Sequence, residues 1–493
     1  MTKNSGTSAG PRLNPRVVAP RRGWGQPAAG RAGHVETGHI HIGTTNQVAG
    51  LYPWIQPGGL PPEGVPIGPD LLTGELQCVD PAGWVGRLTS NPGVWIQGQP
   101  GAGKSAIVKR LCLWHVGLGW QMLCPGDVKG EYSDLVRKMG GQVVRVGRGL
   151  DRINPLDSGP LGRRLSTLPP GERDRVRAEV NGRRAGFLHA LLAIGRAPGD
   201  RLPEELSTAL SSAIRIADEG TVGDPVIPDV IRVLRDPPKE LLGRLMVADD
   251  ARYVELTRPL VAALENLCDG PLSGLFDGPT TTPIDLDAPA ISIDLAQHLR
   301  TADESVVAAG LLATWSYSYS AVDTARAVGA ADRPLILPLD ELWQVLRAGP
   351  GMVSSLDTIT RLNRSKGEIS MMVTHSLRDL EALPTPEDRA KAAGFMERAD
   401  TLILAASPHN ELDLVSERRP LTDGERHMVS SWASPATTGA DGASIHPGRG
   451  KYLIKLGNRV GVPVQLRLTP AELQLYDTDH AIRSGSHPRA VGV

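Results

Sequence analysis

Short apolar runs alternate with amphipathic segments along most of this chain. These runs predict buried strands, because they are four to six residues long and are bounded by polar or glycine-rich stretches. They cover residues 94–97, 120–124, 143–146, 290–295, 335–339, 369–374 and 401–405. Helical spacing occupies several of the intervals, including 302–322 and 354–365. Strands that alternate with helices form parallel sheets. The pattern therefore predicts an α/β fold around a mostly parallel central sheet.

Residues 161–270 have a different pattern. Strand-like runs disappear, and apolar residues recur at helical spacing, as at Leu206, Leu210 and Ile214. We interpret this stretch as an all-helical subdomain inserted into the α/β core. Further along, Thr422 and Glu425 form a capping box, and a Gly457–Asn458 turn predicts a hairpin.

The pattern divides the chain into five parts. We expect a basic, disordered arm at 1–49, the lead-in and first part of the core at 50–160, and the helical subdomain at 161–270. The rest of the core follows at 271–480, and a flexible tail at 481–493. Within 50–92, only residues 76–80 have a strand pattern. The first 33 residues are rich in arginine and contain no acid; a solvated arm and a contact with nucleic acid or anionic lipid both remain open.

Composition removes several classes of function. A formal net charge of -1 argues against a uniformly basic nucleic-acid binder. The four cysteines have no C-x-x-C spacing, which favours isolated buried thiols over disulfides or zinc ligands. No apolar run reaches the roughly 18 residues of a membrane span, and the amino terminus has no apolar signal-peptide region. We expect a cytoplasmic protein, with peripheral association at the inner face of the membrane left open.

One motif carries specific chemistry. It fits G-x-x-x-x-G-K-[ST] between a predicted strand and a predicted helix, and its residues are Gly98, Gln99, Pro100, Gly101, Ala102, Gly103, Lys104 and Ser105. Glycines let backbone N–H groups converge on phosphate oxygens at a helix N-terminus. Lys104 would contact the β- and γ-phosphates, and the Ser105 hydroxyl would bind Mg²⁺. The motif predicts a site for ATP and Mg²⁺.

Asp340 and Glu341 directly follow the apolar run at 335–339. The carboxyl end of a core strand is the edge of the sheet where a P-loop lies, so Asp340 is a candidate Mg²⁺ ligand and Glu341 a candidate for polarising the attacking water. Pro338 lies inside this strand and removes one ladder donor. We expect it at a bulge or at an unpaired position.

Four other residues are candidates with open alternatives. Glu131 follows a core strand and is either a nucleotide-site acid or a helix cap. Arg361 and Arg364 belong to a basic helix end or supply an arginine finger to a neighbouring subunit. His375 follows the strand at 369–374 and either senses the γ-phosphate or is structural.

Several of these stretches together resemble one family. GDVKGEYSDLVRKMGG, LPLDELWQVL and RLNRSKGEISMMVTHSLRDL are similar to segments of the TraC-like conjugative-transfer and type IV secretion ATPases of the HerA–FtsK clade. The resemblance covers about residues 65–480. It implies a RecA-like P-loop motor with an inserted helical domain. It also implies an oligomer, expected to be a hexamer, that acts on DNA or on secretion-channel proteins.

The resemblance also implies roles for individual residues. Glu131 becomes a nucleotide-site acid, and Arg361 or Arg364 a finger acting in trans. His375 stands where the family usually has Gln. Two other functions compete with this prediction: a HerA- or FtsK-like DNA pump unconnected with secretion, and a nucleotide-gated scaffold that turns over little ATP.

Overall fold

The computed structural model describes residues 59–159, 168–194, 202–247, 249–299, 302–327, 333–340, 366–383, 385–435, 437–438 and 444–476, and a few single positions between them. Its strands are β1 Val65–Pro69, β2 Leu76–Val79, β3 Val94–Gln97, β4 Gln121–Asp127, β5 Gln142–Arg145, β6 Ala290–Asp294, β7 Leu335–Leu339, β8 Ile369–Thr374, β9 Thr401–Leu404, β10 Thr437–Thr438, β11 Ser444–Ile445, β12 Lys451–Leu456 and β13 Val462–Gln465.

The helices fall into two groups. Those that accompany the sheet are α1 Lys104–Gly117, α2 Ser133–Lys138, α8 Ala296–Leu299, α9 Glu304–Ala327, α10 Arg378–Glu381, α11 Pro386–Arg398, α12 His409–Arg418, α13 Asp423–Trp432 and α14 Pro470–Tyr476. Those of the central helical stretch are α3 Pro170–Ala193, α4 Glu204–Gly220, α5 Ile227–Arg235, α6 Lys239–Leu245 and α7 Asp250–Asp269. Among the described helices, none has the length and apolarity to cross a bilayer.

Within the described residues, nine strands form the central sheet in the order β13-β12-β9-β3-β8-β7-β4-β6-β5. The seven strands from β9 to β5 are mutually parallel. At one edge, β12 pairs antiparallel with β9, and β13 pairs antiparallel with β12. Every residue of β3, β7, β8 and β9 is buried, as expected for strands covered on both faces. The predicted α/β fold of RecA-like type is confirmed.

The chain leaves the sheet after β5 and returns in β6, which lies beside β5 and runs parallel to it. All five helices of the central stretch lie in this excursion, and no strand occurs among its described residues between 168 and 269. Most of their buried apolar side chains belong to the same apolar cluster as those of the sheet. The proposed division of the chain at 161 and 270 stays a prediction.

One detail of the sequence-based prediction was wrong. Residues 65–69 form β1, although their two prolines and a glycine argued against a strand. A strand forms here because β1 pairs, among the described residues, with β2 alone in a two-stranded antiparallel sheet and has an irregularity between Pro66 and Gly68.

Other expectations hold. Thr422 and Glu425 form the capping box of α13, β12 and β13 form the hairpin, and the four cysteines are buried and free. The predicted helix at 354–365 lies outside the described residues.

Candidate nucleotide-binding site

The predicted phosphate loop joins β3 to α1, as the motif requires. Gly101 and Gly103 have φ angles of 78° and 98°, which L-residues with a side chain rarely adopt. No heavy atom lies within 4 Å of the place where a Cβ on Gly101 would stand. Helix α1 has no acid in its first turn and no side-chain cap among the described residues. An open glycine turn and an uncapped helix N-terminus suit a phosphate group.

Lys104 lies over this loop. Its ammonium group donates to the carbonyl oxygens of Gly98 at 2.7 Å and Gln99 at 3.2 Å, and it lies 2.8 Å from Nδ1 of His375. An ammonium group can only donate, so Nδ1 of His375 accepts in this contact. His375 follows β8, the neighbour of β3, and the parallel register brings the two strand ends together. The structure therefore places His375 against the lysine of the loop.

Asp340 follows β7, which is separated from β3 by β8. Its Oδ2 accepts a hydrogen bond of 3.0 Å from the hydroxyl of Tyr132. Pro338 pairs in register with Met371 of β8, whereas the pairing of β7 with β4 covers only Leu335 and Ile336. The proline is therefore paired with β8 without a bulge, and it is unpaired only on the side that faces β4.

Glu131 lies in the loop between β4 and α2. Its carboxylate is 3.8 Å from Nζ of Lys109 on α1. Tyr132 occupies the N-cap position of α2, and the two alternatives for Glu131, a nucleotide-site acid and a helix-capping acid, stay predictions. The loop also lines a narrow cleft with Asp127, Tyr132 and Asp340. Glu131 is therefore near the end of β7.

Three predicted residues lie outside the described part of the chain: Glu341, Arg361 and Arg364. Their roles stay predictions.

Four contacts of the site escaped the sequence analysis. The Tyr132 hydroxyl donates to the Asp340 carboxylate, and the Lys109 ammonium group forms a 3.8 Å ion pair with the Glu131 carboxylate. The Tyr452 hydroxyl donates to the Gly103 carbonyl at 2.6 Å, and the Gly450 amide donates to the Ala102 carbonyl at 3.1 Å. Lys109 carried a weak signal, since it and Arg110 are two charged residues between the apolar pairs 107–108 and 111–112. Tyr452 carried none, because its contact depends on β12 joining the sheet beside β9.

Comparison with solved structures identifies a similar fold. VirB4 of Thermoanaerobacter pseudethanolicus matches with a TM-score of 0.63 and 19% identity, over 85% of this chain and 100% of that chain. Plasmid coupling protein TrwB in complex with ADP and Mg²⁺ has a TM-score of 0.46 and 13% identity, over 76% and 86% of the two chains. No family model and no curated protein matches the sequence. The likeness expected from the sequence is confirmed at the level of the fold.

Proposed function

We propose that this chain, which has the fold of VirB4, binds ATP with Mg²⁺ and hydrolyses it to drive transfer of DNA or protein in a conjugation or type IV secretion system. The observation that supports this most is the arrangement of three neighbouring strands. β3, β8 and β7 run parallel, and at the same edge they are followed by the phosphate loop, His375 and Asp340. Ligands of open α/β sheets bind at this edge.

Each part of the site has a role in this proposal. The backbone amides of 98–105 would hold the phosphates, and Lys104 would exchange its contacts with Gly98 and Gln99 for phosphate oxygens. Ser105 and Asp340 supply hard oxygen ligands, which Mg²⁺ prefers. The bound Mg²⁺ would neutralise charge on the phosphates. His375 would respond to the γ-phosphate through Lys104.

Three further residues complete the proposed chemistry. Glu341 would orient the attacking water, and Glu131 would add an acid to the site. Arg361 or Arg364 would act on a neighbouring subunit's nucleotide. We therefore propose a homo-oligomer, a hexamer by the sequence resemblance. It would work in the cytoplasm with DNA or channel proteins as partners.

Steady-state hydrolysis of ATP tests the proposal. Lys104→Ala and Glu341→Gln should each lower kcat at least a hundredfold, because one removes phosphate neutralisation and the other the orientation of water. Lys239→Ala, which changes an exposed lysine of α6, is the matched control and should keep wild-type turnover. If the wild-type chain hydrolysed no measurable ATP, the proposal of an ATP-driven motor would be overturned.

That outcome would favour the second candidate, a nucleotide-gated scaffold. The contact of Lys104 with His375, where the resembling family carries Gln, is the observation behind it. ADP and ATP binding without turnover would then be expected. The third candidate, a DNA pump unconnected with secretion, would hydrolyse ATP faster when DNA is added, and this stimulation would decline steeply as salt rises.

A further inference from the structure

The loop between β4 and α2 is held by a carboxylate at the end of β4. Asp127 accepts backbone N–H bonds from Glu131 at 3.0 Å and Tyr132 at 2.8 Å. Two bonds to one carboxylate close the loop onto the strand and fix the directions in which residues 131 and 132 leave the backbone. Tyr132 is only 1% exposed. The backbone hydrogen bond and the burial of the ring therefore both restrict the position of the Tyr132 side chain.

The hydroxyl of Tyr132 reaches across to the neighbouring strand. It donates to Oδ2 of Asp340 at 3.0 Å. A carboxylate can only accept, so the Tyr132 hydroxyl is the donor in this bond.

Lys109 contacts the other side of this tyrosine. Its side chain is fully buried, and Nζ lies 5.8 Å from the centre of the Tyr132 ring and 3.8 Å from the Glu131 carboxylate. A cation at this distance from an aromatic ring is attracted to its face. Lys109 belongs to α1, the helix that starts with Lys104 and Ser105. The tyrosine thus connects the helix of the phosphate loop to the end of β7.

We propose that Tyr132 is a positioning residue that orients the Asp340 carboxylate towards the Mg²⁺ of a bound nucleotide. The inference rests on the proposed function. The physical reason is that the χ2 torsion of an aspartate has broad minima, so a carboxylate at a strand end turns easily. A hydrogen bond to one oxygen restricts that rotation. Bonds of this kind to metal ligands typically change metal affinity by about 10- to 100-fold.

A tyrosine that only fills the core would also need a partner for its buried hydroxyl. The two roles differ in what they change. Loss of a core contact lowers the melting temperature and weakens nucleotide binding with and without metal alike. Loss of a positioning contact weakens only the part of the affinity that Mg²⁺ contributes.

The experiment measures fluorescent ADP binding to the full chain, with Mg²⁺ and with EDTA. The ratio of the two dissociation constants is the Mg²⁺ coupling. Tyr132→Phe keeps the ring and its contact with Lys109 but loses the hydroxyl, so the coupling should fall by about tenfold. The affinity in EDTA and the melting temperature should stay close to the wild-type values. Tyr253→Phe is the matched control, since it loses a buried 2.9 Å bond to the Leu234 carbonyl in the central helices.

A double-mutant cycle with Asp340→Asn completes the test. If Tyr132 acts through Asp340, Tyr132→Phe should cause no further loss of coupling in the Asp340→Asn background. Full coupling in Tyr132→Phe, or an additive loss in the double variant, would overturn the inference and leave the proposed function intact. A wild-type chain that binds no nucleotide would instead overturn the proposed function itself.

Discussion

Lys104 and Lys109 lie five residues apart on the same helix and have different surroundings. Lys104 contacts carbonyl oxygens and an imidazole at the loop. Lys109 is buried beneath the loop 128–132, where burial lowers its pKa and the charges of Glu131, Asp127 and Asp340 oppose that shift. A buried cation without such acids would lose its proton or destabilise the fold. The acids around Lys109 therefore stabilise its charge, and two of them, Asp127 and Asp340, also accept hydrogen bonds from residues 131 and 132.

Asp127 gives a prediction about pH at this scale. Burial raises the pKa of its carboxyl from 3.8 to about 6, and Asp294 adds to this, while the amides of Tyr132 and Glu131 oppose it. The folded state binds this proton more tightly than the unfolded state does. Proton binding to Asp127 therefore adds to the free energy of unfolding, fully below pH 3.8, and this contribution is lost as pH rises through 6. Asp127→Asn has no ionised form. Its free energy of unfolding relative to wild type should therefore rise between pH 5 and pH 8, by about 1.4 kcal/mol.

Urea denaturation at several pH values between 5 and 8 measures this difference. A constant difference between Asp127→Asn and wild type over that range would contradict the buried, proton-binding carboxyl.

At the scale of elements, the phosphate loop is supported by strands from far along the chain. The Gln99 amide donates to the Ala406 carbonyl just after β9, and the Ala405 amide donates to Gln97 at the end of β3, both at 2.8 Å. On its other side, Tyr452 of β12 bonds Gly103. The geometry of the loop thus depends on two strands that the motif itself does not contain.

Gly98→Ala tests this support. A Cβ at Gly98 would lie 2.7 Å from the Ala405 Cβ and 3.2 Å from the Ala406 carbonyl oxygen. Since the hydrogen bonds hold this backbone in place, the substitution should lower the free energy of unfolding by about 1–3 kcal/mol. Gly117→Ala is the matched control at the other end of α1, where nothing lies within 4 Å of the new Cβ. Equal stability of the two variants in urea denaturation would show that the β9 contact imposes no constraint.

At the level of the whole molecule, helices α3 to α7 are inserted between two strands that are neighbours in the sheet. It begins and ends on adjacent parallel strands, β5 and β6. It also packs back against the core: Arg183 of α3 bonds the Ser320 hydroxyl of α9 at 3.2 Å. Helix α9 in turn packs on β4, the strand that carries Asp127. The central helices are therefore connected to the strand of Asp127 through α9.

Mixed oligomers test whether the site is shared between subunits. Lys104→Ala subunits keep the arginines, and Arg361→Ala/Arg364→Ala subunits keep the phosphate loop. If the arginine acts in trans, an equal mixture should recover about a quarter of wild-type ATPase activity, because one interface in four is intact. Each variant alone should be inactive. A mixture as inactive as its components would place the arginine outside the neighbour's site.

The sequence by itself determined the phosphate loop and the strands that carry Asp340 and His375. Local patterns suffice for these elements, because a buried parallel strand is a short apolar run and a phosphate turn needs glycine at set positions. The motif in 98–105, the register of apolar runs and the capping box at Thr422 each depend on residues close together in the chain. The structure agrees with all three.

The contacts between side chains of the site depend on the order of the strands in the folded sheet. Tyr132 and Asp340 are separated by 208 residues, Lys104 and His375 by 271, and Tyr452 and Gly103 by 349. Strand order sets these pairings: β7 and β8 enter the sheet between β3 and β4, and β12 joins beyond β9. No local pattern encodes that order, since every buried parallel strand has the same apolar character. The contacts that orient the candidate site therefore follow from topology.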